Sequence, residues 1–144
     1  MLLMTGLDTI PKRRDFVLAS THGRYQAMPG LVIQMRNRGD NAAARLGITA
    51  SKKIGNAVAR NRAKRRLRAV ADMVLTSQSR PGHDYVLIAR YNTNHLEWSE
   101  LVESLNKALI KLHARDTNND YSGSGDGNLT KNQMETDQQK ANGV

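Results

Sequence analysis

The chain has 144 residues with 22 Lys+Arg against 13 Asp+Glu, a net charge of +9, 39% apolar residues and no cysteine, which fits one domain around one core. The missing cysteines exclude a disulfide framework, a thiolate metal site and a cysteine nucleophile, and four scattered histidines argue against a histidine metal cluster. No run approaches the roughly 18 apolar residues of a membrane span, and Met1-Leu2-Leu3-Met4 is too short for a signal-peptide core, so a soluble cytoplasmic protein is expected.

In chain order, the run 11–20 suits a first helix, with Pro11 tolerated in the opening turn and Gly23 available as terminator. Positions 31–36 alternate, with Leu31, Ile33 and Met35 on one face and Gln34 and Arg36 on the other, the pattern of a half-buried strand after a Pro29-Gly30 turn. The segment 45–50 alternates again beyond the polar stretch Asn37-Arg38-Gly39-Asp40, and it reads as the hairpin partner of 31–36 across a loop of about eight residues.

A second helix is expected from Ala57 to about Thr76, because Ala63, Leu67, Val70 and Val74 share one stripe and Asn56 is a fitting N-cap. Positions 85–89 are apolar throughout after Pro81-Gly82, as in a strand covered on both faces and interior to its sheet. Asn94 with Glu97 makes a capping pair for a last helix whose apolar side is Trp98, Leu101, Val102, Leu105, Ala108, Leu109 and Leu112. The charge changes sign near Asp116: residues 1–115 hold 20 basic and 8 acidic side chains, whereas 116–144 hold 2 and 5. That division predicts a basic domain over 1–115 and a disordered polar tail over 116–144, whose Gly123–Gly127 run has no flanking strand and helix to make it a phosphate loop.

A net charge of this size draws polyanions, although a solvated basic surface with no dedicated partner is the plain alternative. Placement favours the first. Eight basic residues and no acid fall within the seventeen positions 52–68. With Ala63 at zero, Lys64, Arg68, Asn61 and Arg65 lie near about 100°, 140°, 160° and 200°, opposite the apolar stripe, with Arg60, Arg62 and Arg66 on the flanks. Local helix energetics oppose this arrangement. Arg60 and Arg62 sit at the positive end of the dipole, at ~0.3–1 kcal/mol each. Five like-charged neighbour pairs add roughly 1–2.5 kcal/mol unscreened. Phosphates would turn the same charges into binding energy through counterion release and the planar guanidinium fork. A membrane surface is disfavoured, since the apolar side carries no Trp or Phe. Charge does not separate DNA from RNA, but a strand and a Gly-Asn loop precede the helix where a helix-turn-helix would place another helix.

Ser51-Lys52-Lys53-Ile54-Gly55-Asn56, running directly into Ala57-Val58-Ala59-Arg60-Asn61-Arg62-Ala63-Lys64-Arg65-Arg66-Leu67-Arg68, closely resembles the signature of the bacterial ribonuclease P protein family. Phe16 in the first helix, the paired strands, the Gly-His-Asp-Tyr-Val lead at 82–86 and the final amphipathic helix extend the likeness over roughly 10–113. The resemblance implies an α/β fold, a two-layer α-β-β-β-α-β-α sandwich like the second domain of ribosomal protein S5. It also implies a short strand near 25–28 and a left-handed β-α-β crossover from 45–50 through the basic helix to 85–90. Physics alone favours the opposite hand.

The implied activity is magnesium-dependent removal of the 5′ leader from precursor tRNA, with the RNA subunit as catalyst and this chain as accessory subunit. No catalytic residue and no metal ligand are assigned to the protein, and Mg²⁺ is expected on RNA oxygens. Asp15, Asp72 and Asp84 are expected to be solvated or structural. The implied partners are the ribonuclease P RNA and precursor tRNA, with no obligate protein partner.

Lys52, Lys53, Asn56, Arg60, Asn61, Arg62, Lys64, Arg65 and Arg68 would meet the catalytic RNA near the cleavage region. Phe16, Arg13, Arg14, Gln34 and Arg36 would line a cleft for the single-stranded leader. Phe16 reads equally as a base-stacking ring or a core aromatic, and Lys12, Arg13 and Arg14 as phosphate contacts or a solvated turn. Ser20 and Gln34 stand where the family often has further aromatics, which points to weaker or more polar leader contacts, and 41–44 reads as a modest loop insertion. Two rivals are a structural RNA-binding protein, such as a ribosomal or assembly factor, and a stand-alone nuclease, which would need metal ligands or a general base of its own.

Overall fold

A computed structural model describes residues 7–118. The elements are β1 (Asp8–Thr9), α1 (Arg13–His22), β2 (Arg24–Met28), β3 (Leu31–Asn37), β4 (Arg45–Thr49), α2 (Ala57–Gln78), β5 (His83–Ala89) and α3 (Trp98–Asn118). One-turn 3-10 segments at Lys52–Ile54 and Tyr91–Asn94 precede α2 and α3. The five strands form one sheet in the order β1-β4-β5-β3-β2. The expected α/β sandwich is present, with α2 and α3 packed together on one face and α1 alone across the other.

The strand near 25–28 is β2, and it forms a hairpin with β3 through Pro29-Gly30, Met28 opposite Leu31. Gly30 serves packing rather than the turn, because a Cβ there would lie 2.7 Å from Leu96 Cδ1 and 2.8 Å from Leu101 Cδ1. The pairing of 45–50 with 31–36 is corrected by the structure. β5 lies between β3 and β4, antiparallel to the first and parallel to the second, so that Leu87 faces Ile33 on one side and Ile48 on the other. Alternation marks a strand without naming its neighbour, and a connection of about eight residues exceeds the usual hairpin loop of two to five. β4, α2 and β5 thus form a β-α-β crossover whose connecting helix is the basic one.

The half-buried reading of β3 is also corrected. Leu31 through Met35 are all buried: Leu31, Ile33 and Met35 join the core beneath α2 and α3, while Val32 joins a smaller cluster beneath α1 with Ile10, Ala19, Val86 and Ile88. β5 is buried along its whole length, as its apolar run predicts.

α2 begins where expected, because Asn56 Oδ1 accepts the Ala59 N–H at 2.9 Å. Its stripe of Ala63, Leu67, Val70 and Val74 is buried together with Ala71 and Leu75. On α3, Leu101, Leu105, Ala108, Leu109 and Leu112 are fully buried, but Trp98 is 40% exposed. Asn94 is not its cap. The Glu97 N–H donates to Glu100 Oε1 at 3.2 Å, and Asn94 Nδ2 donates instead to Ala59 O of α2 at 3.0 Å, since the 3-10 turn delays the helix by one turn. α3 passes the boundary expected at 115 and continues to Asn118; the rest of the expected tail lies outside the described residues.

Candidate nucleic-acid interface

The nine residues expected to meet RNA lie on one continuous stretch of surface. Lys52 and Lys53 are exposed on a 3-10 turn whose N-cap, Ser51, accepts the Lys53 N–H through Oγ. Gly55, at φ +142°, then turns the chain into α2 in a conformation that L side chains rarely adopt. Asn56, Asn61, Arg62, Arg65 and Arg68 are exposed, while Arg60 and Lys64 are half-buried along the flank. Arg66 serves the fold instead, donating from Nη2 to Leu96 O at 2.6 Å.

Three acids of the domain are paired elsewhere, and Asp72 follows only one turn beyond Arg68 on α2. Asp84 of β5 is fully buried and accepts from Arg38 Nη1 at 2.5 Å and from Arg45 Nε and Nη2 at 2.7 and 2.8 Å. Arg36 Nη1 stands 3.5 Å from both Asp84 Oδ2 and Asp15 Oδ1, and Asp40 pairs with Arg38. Burial alone pushes the Asp84 carboxyl up, but the hydrogen bonds from Arg45 and Arg38 and their charges outweigh it and hold the carboxyl below its ordinary value. Three arginines are thereby neutralised inside the fold. Among the described residues, none of Lys52, Lys53, Arg60, Arg62, Lys64, Arg65 and Arg68 pairs with a carboxylate, whereas Arg36 does. The positive surface is therefore concentrated on the 52–68 face.

The expected leader cleft is less open than the sequence suggests. Arg13 and Arg14 are exposed at the start of α1. Phe16 is half-buried and lies over β4, where a Cβ on Gly47 would fall 2.5 Å from its Cε1 and Cζ. The ring packs on Ile10 and the small apolar cluster, as the core reading expects, and part of its surface stays outside. Gln34 is 1% exposed beneath α1, and Arg36 is drawn into the Asp15–Asp84 network; neither lines an open groove as expected. Alternation placed both on the outer face of β3, but α1 covers that face.

Replacing Gly47 by alanine is expected to displace the Phe16 ring and lower stability by about 1–3 kcal/mol. Thermal melting of Gly47→Ala with and without Phe16→Leu checks this, the smaller side chain restoring part of the loss. An unchanged melting temperature in Gly47→Ala would show that the ring does not occupy that surface.

Sequence reasoning missed two features. The Arg38–Asp84–Arg45 cluster joins residues 39 and 46 positions apart, and no local pattern signals it. Tyr91 and His95, exposed on the 3-10 turn beside α2, fell between the elements that periodicity picks out. No helix among the described residues is long and apolar enough to cross a membrane, and no three His, Asp or Glu side chains among them converge as metal ligands.

Fold and surface together define a single-sheet α/β protein with an acid-free basic stretch at the start of the helix that crosses between parallel strands. The family model described as Ribonuclease P matches residues 4–113. The Ribonuclease P protein component of Ruegeria pomeroyi is 47% identical over 113 residues, spanning 76% of this chain and 90% of that protein. Its namesake in Caulobacter vibrioides is 48% identical over 108 residues, spanning 74% and 72%. The solved RNase P proteins of Staphylococcus aureus (TM-score 0.61, 31% identity, 71% of this chain and 92% of that one) and Thermotoga maritima (TM-score 0.59, 28% identity, 73% and 94%) share the fold. This chain belongs to the ribonuclease P protein family, the protein component of the ribonuclease that processes tRNA 5′ ends.

Proposed function

We propose that this chain binds the ribonuclease P RNA through Lys52, Lys53, Asn56, Arg60, Asn61, Arg62, Lys64, Arg65 and Arg68, and holds the 5′ leader of precursor tRNA against α1. The observation that carries the reading is the acid-free basic stretch 52–68, which forms the first half of α2 and the turn before it, in a domain whose buried acids Asp15 and Asp84 are already matched by other arginines. Each phosphate met by that face releases counterions and relieves repulsion between substrate and RNA strands. Arg13 and Arg14 lie on the approach to Phe16, where a leader base can stack on the ring's outer part.

Hydrolysis is assigned to the RNA subunit, with this chain as an accessory of the cytoplasmic enzyme and without an obligate protein partner. Among the described residues Asp84, Asp15 and Asp40 face guanidinium groups rather than an open oxygen cage, which supports leaving magnesium to the RNA. In this reading the ion belongs to RNA oxygens. A structural RNA-binding role without leader processing is not favoured by the family membership.

The leader contact is tested in the reconstituted holoenzyme, by comparing affinity for precursor tRNA with affinity for the same tRNA lacking its leader. Phe16→Ala is expected to weaken the first by roughly 5- to 150-fold, the equivalent of one lost stacking contact, and to leave the second unchanged. Equal effects on both substrates would remove the leader from this surface.

A further inference from the structure

Two large aromatic side chains are exposed among the described residues, Tyr91 at 66%, in the segment that joins β5 to α3, and Trp98 at 40%, the first residue of α3. Tyr91 does not stand alone. Its ring lies 4.5 Å from that of His95, centroid to centroid, with the planes inclined by 33°.

The turn beneath the rings is fixed on several sides. Thr93, fully buried, donates from Oγ1 to Gly30 O at 2.7 Å and accepts the Arg90 N–H at 2.8 Å. Arg90 Nη1 reaches Met28 O at 3.0 Å. Two further bonds join this segment to the basic helix, from Asn94 Nδ2 to Ala59 O and from Arg66 Nη2 to Leu96 O. Ala59, Arg62 and Arg66 lie three and four residues apart, hence on one side of α2. Arg62, exposed, therefore sits between the two points where α2 grips the turn.

An exposed aromatic pair held rigidly beside an unpaired cation matches what single-stranded nucleic acid requires: a flat surface for a base and a charge for the adjoining phosphate. The turn that carries the rings is fixed by these bonds, so little backbone entropy is lost when a base lands on them. The surroundings do not suit an apolar protein anchor, because Asn92, exposed next to Tyr91 in the chain, and Arg62, exposed on the side of α2 that holds the turn, are polar.

We propose that the Tyr91–His95 ring pair is a stacking platform for an unpaired nucleobase of an RNA strand whose backbone passes Arg62. The platform rests on the reading of α2 as an RNA-binding face, and it adds a base contact separate from the leader surface at Phe16. Its ligand is an unstacked base of any sequence, since stacking uses the π-face common to all bases.

The test uses the full-length protein and a short oligouridylate carrying one 4-thiouridine, with photo-crosslinks mapped by peptide sequencing and affinities measured in parallel. Crosslinks at Tyr91 or His95 are expected. Tyr91→Ala should weaken binding by about 5- to 150-fold, while Tyr91→Phe stays within about twofold of the parent. The slope of log affinity against log salt should be the same in both, because no phosphate contact is lost. His95→Ala should weaken binding in the same direction, with both alanine variants melting as the parent does. Crosslinks confined to α1 and α2, or unchanged affinity in Tyr91→Ala and His95→Ala, would overturn the platform. If Arg62→Glu/Arg65→Glu/Arg68→Glu bound the oligonucleotide as tightly as the parent, the reading of α2 would fail instead, so the two failures are distinct.

Discussion

Asp84→Asn is expected to lower stability by about 3–5 kcal/mol, the cost of removing one partner from a buried ion pair. For a domain of this size that corresponds to a drop in Tm of roughly 10–25 °C. Among the described residues Asp84 is the sole carboxylate that Arg38 and Arg45 both contact directly, and Arg38 also donates to His83 O at 3.1 Å and Ala43 O at 3.0 Å. The cluster therefore ties the loop between β3 and β4 to the start of β5. Two backbone bonds reinforce it, Arg38 N–H to Gly82 O and Gly82 N–H to Ala42 O, both 2.7 Å. Without the carboxylate, clustered guanidinium groups repel one another at the point where β5 enters the sheet.

The same residue sets an acid limb. The folded Asp84 carboxyl titrates below the ordinary value of about 3.9, so its contribution is complete above that value and is lost as pH falls through the lower folded one. Chemical denaturation at a series of pH values should show the parent losing stability below about pH 4, with Asp84→Asn lower throughout and lacking that part of the slope. A loss under about 1 kcal/mol with an unaltered acid limb would mean that the cluster holds nothing together.

Arg62→Glu/Arg65→Glu/Arg68→Glu is expected to bind ribonuclease P RNA at least about a hundredfold more weakly near physiological salt, with the log–log salt slope smaller by about 2–3. The slope carries the argument, since it counts phosphates neutralised and does not depend on guessing a contact energy. All three side chains are exposed; two like-charged helical pairs become opposite (62/66 and 64/68), two stay like-charged, and position 68 gains a like-charged neighbour in Asp72, so the melting temperature should stay close to the parent's. Weakened binding without a change in slope would place the phosphates on another face.

What could be read in advance divides by the range of the physics involved. The basic helix was legible because its signals are local: a cap three residues from the amide it satisfies, an apolar stripe of period 3.6, and charges crowded where helix energetics oppose them. The place of β4 was not, because alternation fixes which residues share a face but leaves the partner strand open, and β5 arrives from more than thirty residues downstream. Gln34 was placed outside on the same alternation, and it is enclosed because α1 closes the second face of β3. Asp84 could be read as structural, but its three arginines converge only once β5 is inserted between β3 and β4. Phe16 kept two readings; the ring is packed as the core reading expects, and part of its surface stays outside.

Single-turnover cleavage of a precursor tRNA at low magnesium, by a bacterial ribonuclease P RNA with and without this protein, tests the central claim most directly. Strong stimulation of leader removal by the parent protein, its loss in Arg62→Glu/Arg65→Glu/Arg68→Glu, and no cleavage by the protein alone are the predicted results. Stimulation that survives the charge reversal, or leader removal by the protein in the absence of RNA, would contradict the account.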